Sequence, residues 1–304
     1  MRYFRLLAAS CAALALFVFV ACDNSGTGPG TTVTVPAAVD SLQATSINQT
    51  TVRLRWRASA TAAVTGYRVT IVNTASGATI GTTNTTSTLF DVTGLTAGTV
   101  YAFRIQSRTA DTVSTAREIR WSPAVRVTTM QGGAIRIYET ASGFGSGLRI
   151  QGGTALNLTV ARGNEWDLGI NTRSDTMRIG SPGRLGYTGI TMPRTTRIGN
   201  AAYTNIDSLS QVFDTEIQMG PADTFDVPRT VTRGFVFAFQ TQEGNFAKVL
   251  VKSASGVILQ GASPNRYIEV EISYQPVANV PYAIVPTMIS NNGKSFDGGV
   301  SFSR

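Results

Sequence analysis

The residues of this sequence that could carry chemistry are carboxylates, methionines, tyrosines and arginines. Histidine is absent, and the two cysteines, Cys11 and Cys22, both fall within the first 22 residues. A Ser-His-Asp or Cys-His nucleophile is therefore excluded, as is a zinc site built on cysteine and histidine. No disulfide framework can staple the rest of the chain. The dense run of acids is Asp207, Asp214, Glu216, Asp223 and Asp226. Paired carboxylates can hydrolyse glycosides, and oxygen clusters can hold calcium. The acids here lack DxDxDG spacing, and they flank a predicted helix and its following turn, where capping accounts for them. Gly152-Gly153 is not followed by a helical pattern, so no phosphate loop is supported. The chain reads as a non-enzyme.

The elements that must position these residues are strands. Of 304 residues, 14% are charged, against roughly 25% in an average soluble protein. Glycine and threonine abound, which favours strands and turns over helices. The length allows about two domains, and the expected fold class is all-β.

The N-terminus reads as an export signal. Arg2 and Arg5 precede an apolar stretch from Leu6 to Val20, then Ala21-Cys22 and a polar, glycine-rich run. That order describes a signal peptide, and Phe19-Val20-Ala21-Cys22 resembles a bacterial lipobox, with Phe19 in place of the usual aliphatic residue. Residues 1–21 are thus expected to be a lipoprotein signal peptide, with Cys22 lipidated and the protein held in the cell envelope, at the outer membrane or cell surface. A plain signal peptide and an uncleaved anchor helix are the alternatives. Removing Arg2 and Arg5 takes the net charge from +8 to +6. The remaining arginines are scattered singly along strands, so no nucleic-acid partner is expected. Residues 22–34 have no hydrophobic pattern and read as a flexible tether.

Residues 35–129 alternate with period two. Val52, Leu54 and Trp56 share one strand face, Tyr67, Val69 and Ile71 a second, and Tyr101, Phe103 and Ile105 a third; Ala124–Thr129 is a closing strand. Several short strands in under 100 residues imply a sandwich. Leu95–Tyr101 reads as a tyrosine corner, a turn whose phenol caps backbone groups. With Pro36, Leu42, Trp56, Tyr67, Leu95, Tyr101 and the SPAVRVTT segment from Ser122, this stretch resembles a fibronectin type III domain. The resemblance implies spacing or adhesion. Trp56 is core by alternation, and Trp121 is assigned to core or edge packing.

Residues 132–275 continue the strand pattern, at Ala134–Tyr138, Leu148–Gln151, Leu156–Val160, Glu165–Asn171, Gly234–Gln242, Phe246–Ser253, Val257–Gln260 and Arg266–Gln275. Phe235, Phe237 and Phe239 share a face, and Gln242–Asn245 forms a hairpin turn. Ile206, Leu209 and Val212 or Phe213 recur at helical spacing after Asn205, predicting one short helix. Three pieces carry a second resemblance: the WD strand from Gly163 to Arg173 with the glycine-rich Gly180–Gly189; the segment Ile206–Val227; and the hairpin FVFAFQTQEGNFAKVLV leading to RYIEVEISYQPV. Together they resemble the HmuY-like proteins, haem-binding surface lipoproteins.

That resemblance implies a mostly β domain holding haem between loops, with a haem-carrying protein or transporter as partner. The family's founding members hold iron with two histidines, which this chain lacks. Methionine and tyrosine remain as axial ligands. Met177, Met192 and Met219 all sit in loop-like contexts; Met177 and Met192, ahead of Met219, are the expected ligands, with Arg173, Arg178 and Arg194 as partners for the propionates; Arg184, Arg197 and Tyr187 lie in the same region. The competing reading is a non-catalytic adhesion or structural lipoprotein without a small ligand, in which the methionines fill cores. The tail, residues 276–304, has a short apolar piece at Tyr282–Val285 that could add edge strands.

Overall fold

The structure, a computed structural model, describes residues 33–130, 133–151, 154–172, 176–188, 190–199, 203–217, 219, 224–228 and 230–279. The signal peptide, Cys22 and its lipidation, Gly152-Gly153, Arg173, Asp223, and the tail from residue 280 lie outside the described residues. The fold is all-β, and from Val35 onward it forms one compact unit.

The first sandwich contains β1 (Asp40–Asn48), β2 (Thr51–Arg57), β3 (Gly66–Asn73), β4 (Thr79–Thr85), β5 (Leu89–Val92), β6 (Tyr101–Arg108) and β7 (Arg117–Trp121). One sheet has the order β1-β2-β5 and the other β4-β3-β6-β7. The alternation read from the sequence holds: Val52, Leu54, Trp56, Tyr67, Val69, Ile71, Phe103 and Ile105 are all buried. Trp56 packs edge-on against Tyr67, with ring centroids 5.3 Å apart. The Tyr101 hydroxyl accepts the Thr96 N–H at 3.1 Å, making the tyrosine corner. Strand β4 has no apolar stripe to reveal it, because Thr79–Thr85 is polar and Ile80 is exposed.

The expected closing strand takes a different place. β8 (Val125–Val127) leaves the first sandwich, and β7 fills the position beside β6. The rest of the described chain contributes β9 (Thr129–Met130), β10 (Gly133–Tyr138), β11 (Gly147–Gln151), β12 (Thr154–Leu158), β13 (Leu168–Thr172), β14 (Thr176–Gly180), β15 (Arg197–Ile198), β16 (Tyr203–Thr204), β17 (Thr224–Pro228), β18 (Phe235–Gln240), β19 (Phe246–Val251) and β20 (Tyr267–Tyr274). β8 pairs with β20, setting Val127 opposite Ile272 and Val125 opposite Tyr274. It thereby joins the large sheet, ordered β15-β18-β19-β20-β10-β9. A five-stranded sheet, β12-β11-β13-β14-β17, covers one face of that sheet. Between them lie Ile135, Leu148, Ile170, Ile179, Phe235, Phe237, Phe239, Val249, Ile268 and Val270, all buried.

The other face of the large sheet is also covered. Every residue of β19, and Phe235–Phe239 of β18, is buried. Strands buried on both faces read as unbroken apolar runs, and FVFAF is one. Val236, Ala238, Phe246 and Leu250 join a cluster with Leu54, Trp56, Phe103, Leu209, Val212 and Ile217. The two sandwiches therefore share one core cluster across their seam, while the second keeps another of its own between its two sheets.

The predicted helix after Asn205 is replaced by two short 3-10 turns, Leu209–Gln211 and Asp214–Glu216. Ser208 caps the first, accepting the Ser210 N–H at 3.3 Å, while Gln211 Oε1 accepts the Ser208 N–H. Val212 is extended between the turns, with φ −101° and ψ 117°. Its carbonyl accepts a bond from Lys248 Nζ at 2.6 Å, so a buried tertiary contact takes the acceptor that a helix would have used. The expected strand Glu165–Asn171 starts only at Leu168, after a 3-10 turn over Val160–Glu165. Val257–Gln260 makes isolated bridges in place of a strand.

Candidate functional site

The three methionines singled out for haem occupy three different environments. Met177 lies on β14, opposite Val227, with its side chain 1% exposed in the core of the second sandwich. Segment 176–180 is thus a strand, not the loop expected around Met177. Met219 is buried in the other cluster, the one shared with the first sandwich. Met192 is 86% exposed. Among the described residues, no slot brings these sulfurs together. The two described arginines expected for propionates have other work: Arg178 forms a bidentate pair with Asp226, both bonds 2.8 Å, and Arg194 donates to Asp167 at 2.8 Å and pairs with Glu243. These residues do not fit a bis-methionine haem site.

The WD motif is structural. Trp166 is fully buried, and its indole N–H donates to the Thr159 carbonyl at 3.2 Å. It lies flat on Gly147, where a Cβ would come within 1.8 Å of the ring. Tyr187 packs edge-on against it and donates its hydroxyl to the Ile170 carbonyl. Asp167 is also fully buried; it accepts the Ile150 N–H at 2.8 Å and the Arg194 guanidinium. Burial pushes its carboxyl above the ordinary range, against the pull of those bonds.

The described acids of the sequence cluster are likewise engaged. Asp207 pairs with Arg233 at 2.6 Å, Glu216 with Arg55, and Asp226 with Arg178. Asp214 lies at the seam. It accepts from the Ser46 N–H at 2.8 Å, the Trp121 indole at 3.2 Å and the Lys248 ammonium at 2.5 Å. Among the described residues, no group of three or more acids or other ligating side chains is placed to hold a metal.

Next to this seam lies a cleft of about 770 Å³. Leu42, Ile119, Trp121 and Phe246 form its apolar wall, with Arg120 and Arg197 beside them. A second, smaller hollow of about 350 Å³, lined by Thr195, Thr241 and Gln242, adjoins it through Arg197, Gln240 and Asn279. Glu118 in the cleft is shared by Arg104 at 2.8 Å and Arg120 at 3.1 Å, and their hydrogen bonds hold its carboxyl below the usual range. Arg197 has no ion-pair partner among the described residues.

A fibronectin type III family model matches residues 37–128. Those residues form a fibronectin type III domain. Solved structures similar to the chain include the fn3 domain of human collagen alpha-1(XX), at 22% identity, covering 32% of this chain and 92% of that one, with TM-score 0.27. The FN5 domain of Drosophila Lar matches at 22% identity, over 29% of this chain and 98% of that one, with TM-score 0.24. A two-domain fibronectin type III segment of chicken tenascin matches at 15% identity, over 72% and 92%, with TM-score 0.28. No curated protein matches.

Sequence reasoning located the core of the fibronectin type III domain but not the cleft or the seam. One signal was available. The second face of β18 and β19 carries Val236, Ala238, Phe246 and Leu250, too apolar for a solvent face, with Lys248 in their midst. A lysine inside an apolar stripe calls for a buried acid, because an unpaired charge there would cost too much.

Proposed function

We propose that this chain is an exported lipoprotein held to the envelope through Cys22, in which the fibronectin type III domain and the second sandwich form a fused, non-catalytic adhesion and display module. The observation that supports display is the shared core: Val236, Phe246 and Leu250 pack into the same cluster as Leu54, Trp56 and Phe103. A spacer on a string would keep its own core and move freely; this module presents both sandwiches as one body. The described acids of the cluster, with Arg178 and Arg194, act as structural partners, which also favours adhesion over chemistry. The HmuY-like resemblance of residues 132–275 would add haem carriage, but the placement of Met177, Met192 and Met219 favours the reading without haem.

The test is labelling of cells with a radioactive fatty acid. The wild-type chain is expected to take up label and to fractionate with membranes, while Cys22→Ala takes up none and is soluble or unprocessed. One acyl chain binds only marginally and several anchor stably, so the change should be large. Equal labelling of the two chains would overturn the anchoring.

A further inference from the structure

The cleft at the seam is built like a site for an amphipathic anion. Its volume of about 770 Å³ lies in the roughly 300–1,000 Å³ range of small-ligand pockets, which favour domain junctions. One wall is apolar, made by Leu42 and Ile119 of the fibronectin type III domain with Trp121, and by Phe246 of the second sandwich. The adjoining hollow is polar, with Thr195, Thr241, Gln242 and the paired Glu243 in its lining. Arg197 belongs to both compartments, at the point where apolar gives way to polar.

Among the described residues, the two linings hold two acids, Glu118 and Glu243, and both are already paired; Glu243 is held by Arg194 and Arg149. Glu118 is already divided between Arg104 and Arg120, and the Arg120 side chain stays 70% exposed. Arg197, on the short edge strand β15, has no acid partner among the described residues. A guanidinium facing an apolar wall binds a planar anion well, because it offers paired donors and is weakly hydrated. We infer that the cleft binds a small apolar molecule with one carboxylate head, the chain lying along Ile119, Trp121 and Phe246 and the carboxylate meeting Arg197. This site is independent of the anchoring proposed above, since it uses neither Cys22 nor the membrane.

Calorimetric titration with dodecanoate tests it, on the chain carrying Cys22→Ser and purified without detergent. The expected result is saturable binding of one dodecanoate, with dodecyltrimethylammonium, a cation of the same chain length, failing to bind. Arg197→Gln is expected to weaken dodecanoate by about tenfold or more, as when a charge-assisted hydrogen bond is lost, and Arg197→Lys to recover part of that loss. Arg233→Gln, at an exposed pair with Asp207 away from the cleft, controls for general charge and should leave binding unchanged. Absence of saturable binding, equal binding of the cation, or no effect of Arg197→Gln would each overturn the proposal. So would binding seen only after removal of residues 280–304, which would assign the cleft to the chain's own C-terminal segment.

Discussion

Asp214 Oδ1 and Lys248 Nζ stand 2.5 Å apart, and neither side chain has any exposure to solvent. They lie on opposite sides of a polar knot that ties the second sandwich to β1. Thr45 Oγ1 accepts the Lys248 ammonium at 3.0 Å, and the Ser46 N–H and Trp121 indole bond Asp214. Burial drives the Asp214 carboxyl up and the Lys248 ammonium down, so each charge persists on the strength of the other and of these bonds.

Removing one partner leaves the other charge buried and uncompensated. Lys248→Met is therefore expected to cost about 3–5 kcal/mol, and Asp214→Asn a similar amount. The double variant should cost clearly less than the sum, with a coupling of about 1–3 kcal/mol. Urea midpoints of the four chains provide the measurement. Strict additivity would mean that the pair is not the link that the geometry shows.

The shared core makes a second expectation about cooperativity. Tyr101→Phe removes the acceptor of the Thr96 N–H, at a cost of about 1–3 kcal/mol. Because the cluster around Tyr101 runs on into Phe246 and Leu250, the loss should lower one common transition in a calorimetric scan. Two transitions, with only the first displaced, would restore the picture of separate cores.

The first sandwich was legible because its strands bury one face each. Thr51–Arg57 alternates Val52, Leu54 and Trp56 with three arginines, and those apolar residues are the buried ones. Reading failed where burial followed another rule. Ala124–Thr129 has the pattern of a closing strand, but nothing in it says which sheet it closes, and β8 pairs with β20. Ile206–Phe213 has helical spacing, but Val212 turns extended and its carbonyl accepts from Lys248 on β19. Met177 looked like a loop residue because β14 is only five residues long and its outward arginine pairs with Asp226 on β17, a partner far along the chain. The cleft depends wholly on how the two sandwiches meet, and no local pattern encodes that.

Acid sensitivity should centre on Glu139. Its carboxylate, 3% exposed, is held by Arg266 through bonds of 2.9 and 2.6 Å, and accepts the Arg266 N–H and the Thr172 hydroxyl as well. Chiefly through the Arg266 side chain, its folded pKa lies below the ordinary value. A depressed carboxyl adds stability above its unfolded pKa of about 4.3 and loses it as pH falls through the folded value. Glu139→Gln should be less stable than wild type near neutral pH, and the gap should narrow as the buffer is acidified below about pH 4. Urea midpoints from neutral to strongly acidic pH show this, and a gap that widens in acid would reverse the assigned sign.

Met177 and Met192 separate the core and haem readings most directly. Met177 is packed among Ile170, Ile179 and Val227, so truncation leaves a cavity, and Met177→Ala should cost about 2–5 kcal/mol. Met192 is 86% exposed, and Met192→Ala should change stability by no more than about 0.5 kcal/mol. An axial pair would behave otherwise, since both sulfurs would sit at one iron and either truncation would abolish the same absorbance band. The expected outcome is a marked difference in thermal midpoint between the two variants, with no parallel loss of a haem spectrum under reducing conditions. Equal, small stability effects combined with equal loss of a haem band would show that the two methionines meet at a common site, and would return the second sandwich to haem carriage.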